Sequence, residues 1–344
     1  MNRKPNILLF YTGGTIGMMR SSQTGSLKPF NFDKLLRKIP EIKLLDCSVE
    51  TISLHPPIDS SNMCPQHWIA IAEIIESNYG KFDGFVVLHG SDTMSYTSSA
   101  LSFMFENLGK PIVFTGSQLP IGDLRTDAKE NLITAIQIAG LQKNGEAVIQ
   151  EVCLYFEYRL YRANRTTKIN AEQFQAFASL NYPPLAESGV HLKVFEESLL
   201  KRDKSKPLNV HKELDTRVGL LKIFPGIRPD FIKHFLSTPQ LKGLVLETFG
   251  SGNAPSDDWF VDILERHIKS GLIIVNVTQC SGGSVAMGQY ETSERLKQIG
   301  LISGNDITTE SALAKMMLLL PKYKNAKDFK INFEKAVCGD ISEN

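Results

Sequence analysis

The stretch Ile7-Leu8-Leu9-Phe10-Tyr11-Thr12-Gly13-Gly14-Thr15-Ile16-Gly17 decides how this chain is read. An apolar run breaks into a double glycine with a threonine on either side. Short apolar runs ending in glycine are how buried parallel strands deliver a side chain or a phosphate cradle to the edge of an α/β sheet. Two nucleotide-binding patterns are excluded: no lysine follows the glycines in P-loop spacing, and G-x-G-x-x-G is absent. Residues 18–26, Met-Met-Arg-Ser-Ser-Gln-Thr-Gly-Ser, carry no 3.6-residue apolar period. No helix N-terminus is therefore offered to a pyrophosphate, and the segment is expected to be a mobile polar loop. Thr15 places a hydroxyl at the mouth of the sheet.

Outward from this run, apolar segments at 49–54, 83–89, 111–115 and 151–156 read as further strands. Between them lie helical periods. Trp68, Ile71, Ala72 and Ile75 mark one face, with Pro65 in the first turn. Leu101, Met104, Phe105 and Leu108 mark a second, closed by Gly109 and Pro111, and Leu132, Ile133, Ile136 and Ala139 a third, closed by Gly140. This βαβ series predicts an α/β fold, a parallel sheet with helices on both faces. The character changes at Lys201-Arg202-Asp203-Lys204-Ser205-Lys206-Pro207, a charged, solvated connector. A smaller βαβ set resumes at 218–224, 243–248 and 272–277. The expected organisation is a larger N-terminal α/β domain (residues 1–195), a connector (196–215) and a smaller C-terminal α/β domain (216–344). A chain of 344 residues suits two cores.

Composition narrows the class. Lys plus Arg total 38 against 37 Asp plus Glu, which leaves no basic field for nucleic acid or an anionic membrane and points to a small, roughly neutral substrate. The apolar stretch after Arg3 and Lys4 is too short for a signal h-region or a membrane span, so a cytoplasmic protein is expected. Five widely spaced cysteines without C-x-x-C suit reduced thiols, and the seven histidines lack ligand spacing, so no metal is expected.

The topology gives the polar residues their interest. Thr15, Asp59-Ser60-Ser61, Ser91-Asp92-Thr93 and Thr115-Gly116-Ser117-Gln118 each follow a strand, and in a parallel sheet those ends share one edge. Any one of them reads most simply as a helix N-cap. His89 and Lys168, taken alone, read as a packing residue and a solvated charge. Capping does not, however, require Gly13-Gly14 before Thr15, nor a hydroxyl beside a carboxylate in His89-Gly90-Ser91-Asp92-Thr93.

These segments, with Leu101-Ser102-Phe103-Met104, Glu106 to Pro111, Arg159-Leu160-Tyr161-Arg162, Asn164 to Lys168, Gly252-Asn253-Ala254-Pro255 and Thr278-Gln279-Cys280, resemble the bacterial L-asparaginases, specifically the cytosolic type I branch of the asparaginase/glutaminase family. The resemblance covers nearly the whole chain. It implies hydrolysis of L-asparagine to L-aspartate and ammonia, with Thr15 as nucleophile and Ser91, Lys168 and Asp92 as a hydroxyl, lysine and carboxylate relay. In that relay a neighbouring charge and partial burial bring the lysine nearer its basic form. The resemblance further implies that Asp92 receives the substrate α-ammonium and Ser60 its α-carboxylate, with Asp59, Ser61 and Ser117 also lining the pocket. It implies no cofactor. It also implies a homodimer or homotetramer, Asn253 crossing into the neighbour's site; by its context alone Asn253 is a turn residue before Ala254-Pro255.

Three positions depart from the family pattern. Ser91 stands where threonine is usual, and so lacks the methyl that restricts the rotamer. No tyrosine occurs between Tyr11 and Tyr79, and Ser26 stands near the place where the loop usually presents one. Glu247 aligns with an arginine of a second, allosteric asparagine site otherwise matched by Thr167 and Cys280. Two further functions remain open from sequence. An amidotransferase subunit that releases ammonia for aminoacyl-tRNA usually bears an extra N-terminal domain, for which Thr15 lies too near the start. A non-catalytic amino-acid-binding module needs no second hydroxyl and lysine.

Overall fold

All five residues of Gly84–Leu88 and of Val152–Phe156 are buried, as strands covered on both faces must be. They lie inside an eight-stranded sheet. The computed structural model describes residues 3–20, 27–29, 39–289 and 291–343, and the chain divides into two units, residues 1–211 and 212–344.

The sheet of the first unit is built from β1 (Asn6–Gly13), β2 (Ser48–Ile58), β3 (Gly84–Leu88), β4 (Ile112–Thr115), β5 (Val152–Phe156), β6 (Arg159–Arg162), β7 (Ala186–Ser188) and β8 (Leu192–Val194), in the spatial order β8-β7-β6-β5-β4-β3-β1-β2. Strands β1 to β5 are mutually parallel, with Leu9 opposite both Thr51 and Val86. Beyond β5 the sheet continues antiparallel through β6, β7 and β8, an extension that the βαβ reading did not contain. Its cause is a tight reversal at Glu157 and Tyr158, both at positive φ, which folds β6 straight back on β5.

Helices α1 (Pro65–Asn78), α2 (Met94–Met104) and α3 (Ala128–Ala139) fill the crossovers. Leu132, Ala135, Ile136 and Ala139 of α3 pack on the face that carries Ile7, Leu9, Tyr11, Val86, Leu88 and Val113. The alternate residues Leu8, Phe10, Phe85, Val87 and Phe114 are also fully buried, and α2 lies against β4 and β5. The second helix was expected to run to Leu108. It stops at Met104, because Phe105–Glu106 pairs with Asn209–Val210 as a short antiparallel ribbon and Asn107 turns the chain at φ 61°. Asn107 then binds the backbone of the charged run: its side-chain amide donates to Asp203 O and its Oδ1 accepts from Asp203 N.

Residues 18–20, expected within a mobile loop, pair with 27–29 as an antiparallel ribbon with Met19 opposite Lys28, and Met19 packs on the core. Ser26 lies outside the described residues.

The second unit carries a four-stranded parallel sheet in chain order: β9 (Val218–Lys222), β10 (Gly243–Thr248), β11 (Ile273–Thr278) and β12 (Ile302–Ser303). Helices α4 (Pro229–Leu236) and α5 (Asp258–Lys269) place Ile232, Leu236, Phe260, Ile263 and Leu264 in one core with Leu221, Leu244, Leu246 and Ile274. After α6 (Glu291–Gln298), α7 (Thr309–Lys322) packs on the same sheet. Its Lys315 is fully buried, but all three N–H groups are satisfied, by Asp340 at 2.6 Å and by the Phe333 and Lys335 carbonyls.

Candidate active site

Three glycines draw the strand ends together. Gly14, at φ 91°, sits so close to the end of β3 that a Cβ there would lie 2.6 Å from Gly90 Cα. Gly13 lies against the Ile58 backbone at the end of β2, and Gly90 against the Ser60 side chain. Only residues without side chains allow three backbones to meet this closely, which is the physical content of the Thr12-Gly13-Gly14-Thr15 motif. Hydroxyls complete the fastening: Thr12 donates to Leu88 O at 2.8 Å and Thr93 to Ser60 O at 2.8 Å. Thr15 opens a short 3₁₀ turn at this junction and is half-buried.

The N-cap reading holds at one of these strand ends. Asp59 accepts from Ser61 N at 3.0 Å and caps the turn Ser60–Asn62. The turns at Thr15 and Ser91 follow glycine and have no side-chain cap, and Thr93 does not cap α2. The hydroxyls of Thr15 and Ser91 are not used to start helices.

Lys168 reaches this edge from the short strand Thr167–Lys168, which pairs with Phe177–Ala178. Its Nζ donates to Ser91 Oγ at 2.8 Å and to Asp92 Oδ1 at 2.7 Å. The lysine side chain is 19% exposed, whereas the Asp92 carboxylate is 61% exposed and open to a ligand. Ser60 is buried and Ser61 exposed. The Ser117 hydroxyl is turned inward and donates to Leu119 O at 2.6 Å.

Two residues were missed at the sequence level. Gln118 accepts from the Ser91 hydroxyl at 3.3 Å, although it ends a motif already singled out. Asp127 precedes α3 as a capping residue would, yet its carboxylate does not cap the helix and instead accepts from Gln118 N (2.9 Å) and Leu119 N (3.2 Å). Burial raises its pKa above the usual carboxylate range, against the pull of those N–H groups. Nothing in the local pattern distinguishes that use from a cap.

His89, directly before Gly90, is fully buried; its Nδ1 donates to Gly90 O at 2.7 Å, and its ring meets Phe114 edge-on. Burial pulls its pKa down to about 4. Tyr11 lies beneath the Thr15 turn, donates to Gly14 O at 3.4 Å and packs against Gly17. Burial pushes its phenol up to about 12, so at neutral pH it serves the turn as a donor.

In the second unit, Asn253 closes a tight turn, exchanging backbone hydrogen bonds with Phe249 at 2.8 Å each way. Buried Asn276 donates to Gly252 O at 3.2 Å and accepts from Thr248. Glu247, at the end of β10, accepts from the Thr309 hydroxyl at 2.6 Å and faces Lys222 Nζ at 3.6 Å. Cys280 is exposed. Among the described residues no cluster of His, Cys, Asp and Glu could hold a metal ion, and no helix is long and apolar enough to cross a membrane.

Comparison with known proteins agrees with this geometry. Residues 6–200 match the N-terminal asparaginase family and residues 217–333 the glutaminase/asparaginase C-terminal domain. The chain is 41% identical over 341 residues to L-asparaginase 1 of Escherichia coli K12, covering 99% of each. It is 40% identical to the 60 kDa lysophospholipase of Mus musculus, over 93% of this chain and 59% of the relative. The crystal structure of L-asparaginase I from Vibrio cholerae superimposes with a TM-score of 0.89 at 39% identity, covering 99% of this chain and 100% of the other. With both halves of the chain matched in order and the strand-end residues gathered at one sheet edge, this protein belongs to the asparaginase family.

Proposed function

We propose that this protein hydrolyses L-asparagine to L-aspartate and ammonia, with the Thr15 hydroxyl as nucleophile. The observation that carries the reading is the contact of Lys168 with both Ser91 and Asp92, beside the Gly14–Gly90 junction that presents Thr15. A hydroxyl, an amine and a carboxylate in hydrogen-bonding sequence are what a weak alcohol nucleophile needs to lose its proton.

In this mechanism Thr15 Oγ attacks the carboxamide carbon while its proton leaves along Ser91 and Lys168. Collapse of the tetrahedral intermediate, with the proton returned from Lys168 to the departing nitrogen, expels ammonia and leaves an aspartyl ester on Thr15. Water then cleaves the ester. The exposed Asp92 carboxylate receives the substrate α-ammonium, and Ser60 with neighbouring backbone donors holds the α-carboxylate; Asp59 and Ser61 support that pocket. The inward hydroxyl of Ser117 suits a role in shaping the strand-end loop. Asn253, in its rigid turn, completes the site of a second copy, which makes the working form at least a homodimer. The protein acts in the cytoplasm.

The test is release of ammonia and L-aspartate, in equal amounts, from L-asparagine by the purified protein. Binding of L-asparagine without turnover would make it an amino-acid-binding module. Ammonia release only in the presence of an aminoacyl-tRNA acceptor would make it an amidotransferase subunit.

A further inference from the structure

Asn276 lies in the middle of β11, where Ile273 to Thr278 are all buried and the residues on either side of it, Val275 and Val277, are apolar. A carboxamide taken wholly out of water is tolerated only when both of its ends are bonded. The ends of Asn276 go to the chain around the turn after β10. Its Nδ2 donates to Gly252 O at 3.2 Å, and its Oδ1 accepts from the Thr248 hydroxyl at 2.7 Å. The amide orientation follows from these partners: Gly252 O is a carbonyl that only accepts, so the NH₂ group must face it.

A loop at a strand end ordinarily keeps some freedom, but every carbonyl of the turn 249–253 is taken. Phe249 O accepts from Gly252 N at 3.0 Å and Asn253 N at 2.8 Å, and Asn253 O accepts from Phe249 N at 2.8 Å. Gly250 O is held by the Thr278 hydroxyl at 2.6 Å, and Ser251 O by Ala286 N at 2.9 Å. Gly252, at φ 104°, lies so close to Val285 that a Cβ there would stand 2.7 Å from its Cγ1. Among these fastenings, the bond from Asn276 acts on the peptide unit that leads into Asn253. That planar unit has Gly252 O at one end, bonded to Asn276, and Asn253 N–H at the other, bonded to Phe249 O. Its rotation is stopped from both sides, which sets the direction in which the Asn253 side chain leaves the backbone.

We infer that Asn276 is a positioning residue that acts on a neighbouring copy: it fixes the Gly252–Asn253 peptide, and so sets the pose in which Asn253 enters the second copy's site. The inference rests on the reading that Asn253 completes that site. It makes a buried strand residue matter to chemistry carried out on another chain, and predicts that a copy damaged at Asn276 is deficient as a donor of Asn253 but intact as a carrier of Thr15.

The experiment is complementation between full-length copies. Asn276→Ala and Thr15→Ala copies carrying different affinity tags are co-expressed, the mixed dimer is isolated through both tags, and kcat and KM for L-asparagine and thermal unfolding are measured beside each variant alone. Asn276→Ala by itself is expected to lower kcat/KM about tenfold, the size of a misplaced contact to the reacting site. The mixed dimer joins one intact Thr15 to one intact Asn253 turn, and is expected to recover about half the parental rate. Asn276→Leu, which keeps the branched shape and loses both hydrogen bonds, takes its place if Asn276→Ala unfolds below the assay temperature. A mixed dimer that stays at the Asn276→Ala level would confine the defect to the damaged copy and overturn the inference, as would an Asn276→Ala protein as active as its parent. Asn253→Ala separates the two levels: if it is fully active alone, or is not rescued by Thr15→Ala copies, the crossing of Asn253 itself fails, whereas rescue of Asn253→Ala without rescue of Asn276→Ala sinks only the positioning role.

Discussion

At the scale of single residues, the site depends on groups that are small or exposed for stated reasons. Gly14 has no room for a Cβ, and its φ of 91° is one that other residues adopt only under strain. Thr15 follows it without capping the turn. Thr15→Ala removes only the oxygen that attacks in the proposed mechanism, so turnover of L-asparagine is expected to fall by about a thousandfold while far-UV circular dichroism stays unchanged. Lys168→Met should be similarly inactive, because it breaks both the 2.8 Å contact to Ser91 and the 2.7 Å contact to Asp92. A Thr15→Ala rate within about threefold of the parent, well under 1 kcal/mol of barrier, would remove Thr15 from the chemistry.

At the scale of elements, the end of β3 couples the site to stability through His89. The imidazole is fully buried, and its pKa is lowered from 6.5 to about 4 in the folded chain. Above pH 6.5 both states hold it neutral and stability is complete. As pH falls below 6.5 the unfolded chain binds a proton that the folded chain refuses, until about pH 4, so stability is lost across that window. The shift corresponds to something on the order of 3 kcal/mol. Urea unfolding at pH 7 and pH 4.5 should show this loss, and His89→Gln should flatten it. An unchanged pH slope in His89→Gln would mean that other groups govern acid sensitivity.

At the scale of the whole molecule, the second asparagine site that the family resemblance implies would have to include Glu247. A second asparagine held there would present its α-carboxylate to a carboxylate, setting like charges against each other. Glu247 already has partners within its own unit, the Thr309 hydroxyl at 2.6 Å and the Lys222 ammonium at 3.6 Å, so its charge is compensated without a ligand. The rate is therefore expected to rise hyperbolically with L-asparagine. Steady-state rates over a wide concentration range decide this: a Hill coefficient clearly above one that vanishes on changing Thr167 or Cys280 would show a working second site despite Glu247.

What was legible in the sequence was whatever repeats locally. Alternation of apolar runs with 3.6-residue periods located β1 to β5, α1, α3 and the first three strands of the second unit, because burial on two faces or one stripe leaves that pattern in the chain itself. The double glycine announced the junction at Thr15, since only close backbone approach makes such glycines necessary. Other features were decided by partners distant in sequence. Ser91 and Lys168 meet across 77 residues, and Gln118 reaches Ser91 across 27. The second helix ends four residues before its apolar period does, because pairing with Asn209–Val210 competes for the same backbone. Asp127 serves backbone N–H groups eight and nine residues upstream rather than capping the backbone of its own helix. Period and turn chemistry are properties of neighbours along the chain, and the sequence determines them alone. Which hydrogen bonds a buried side chain makes depends on what the fold brings beside it once water is gone, and only the tertiary structure decides that.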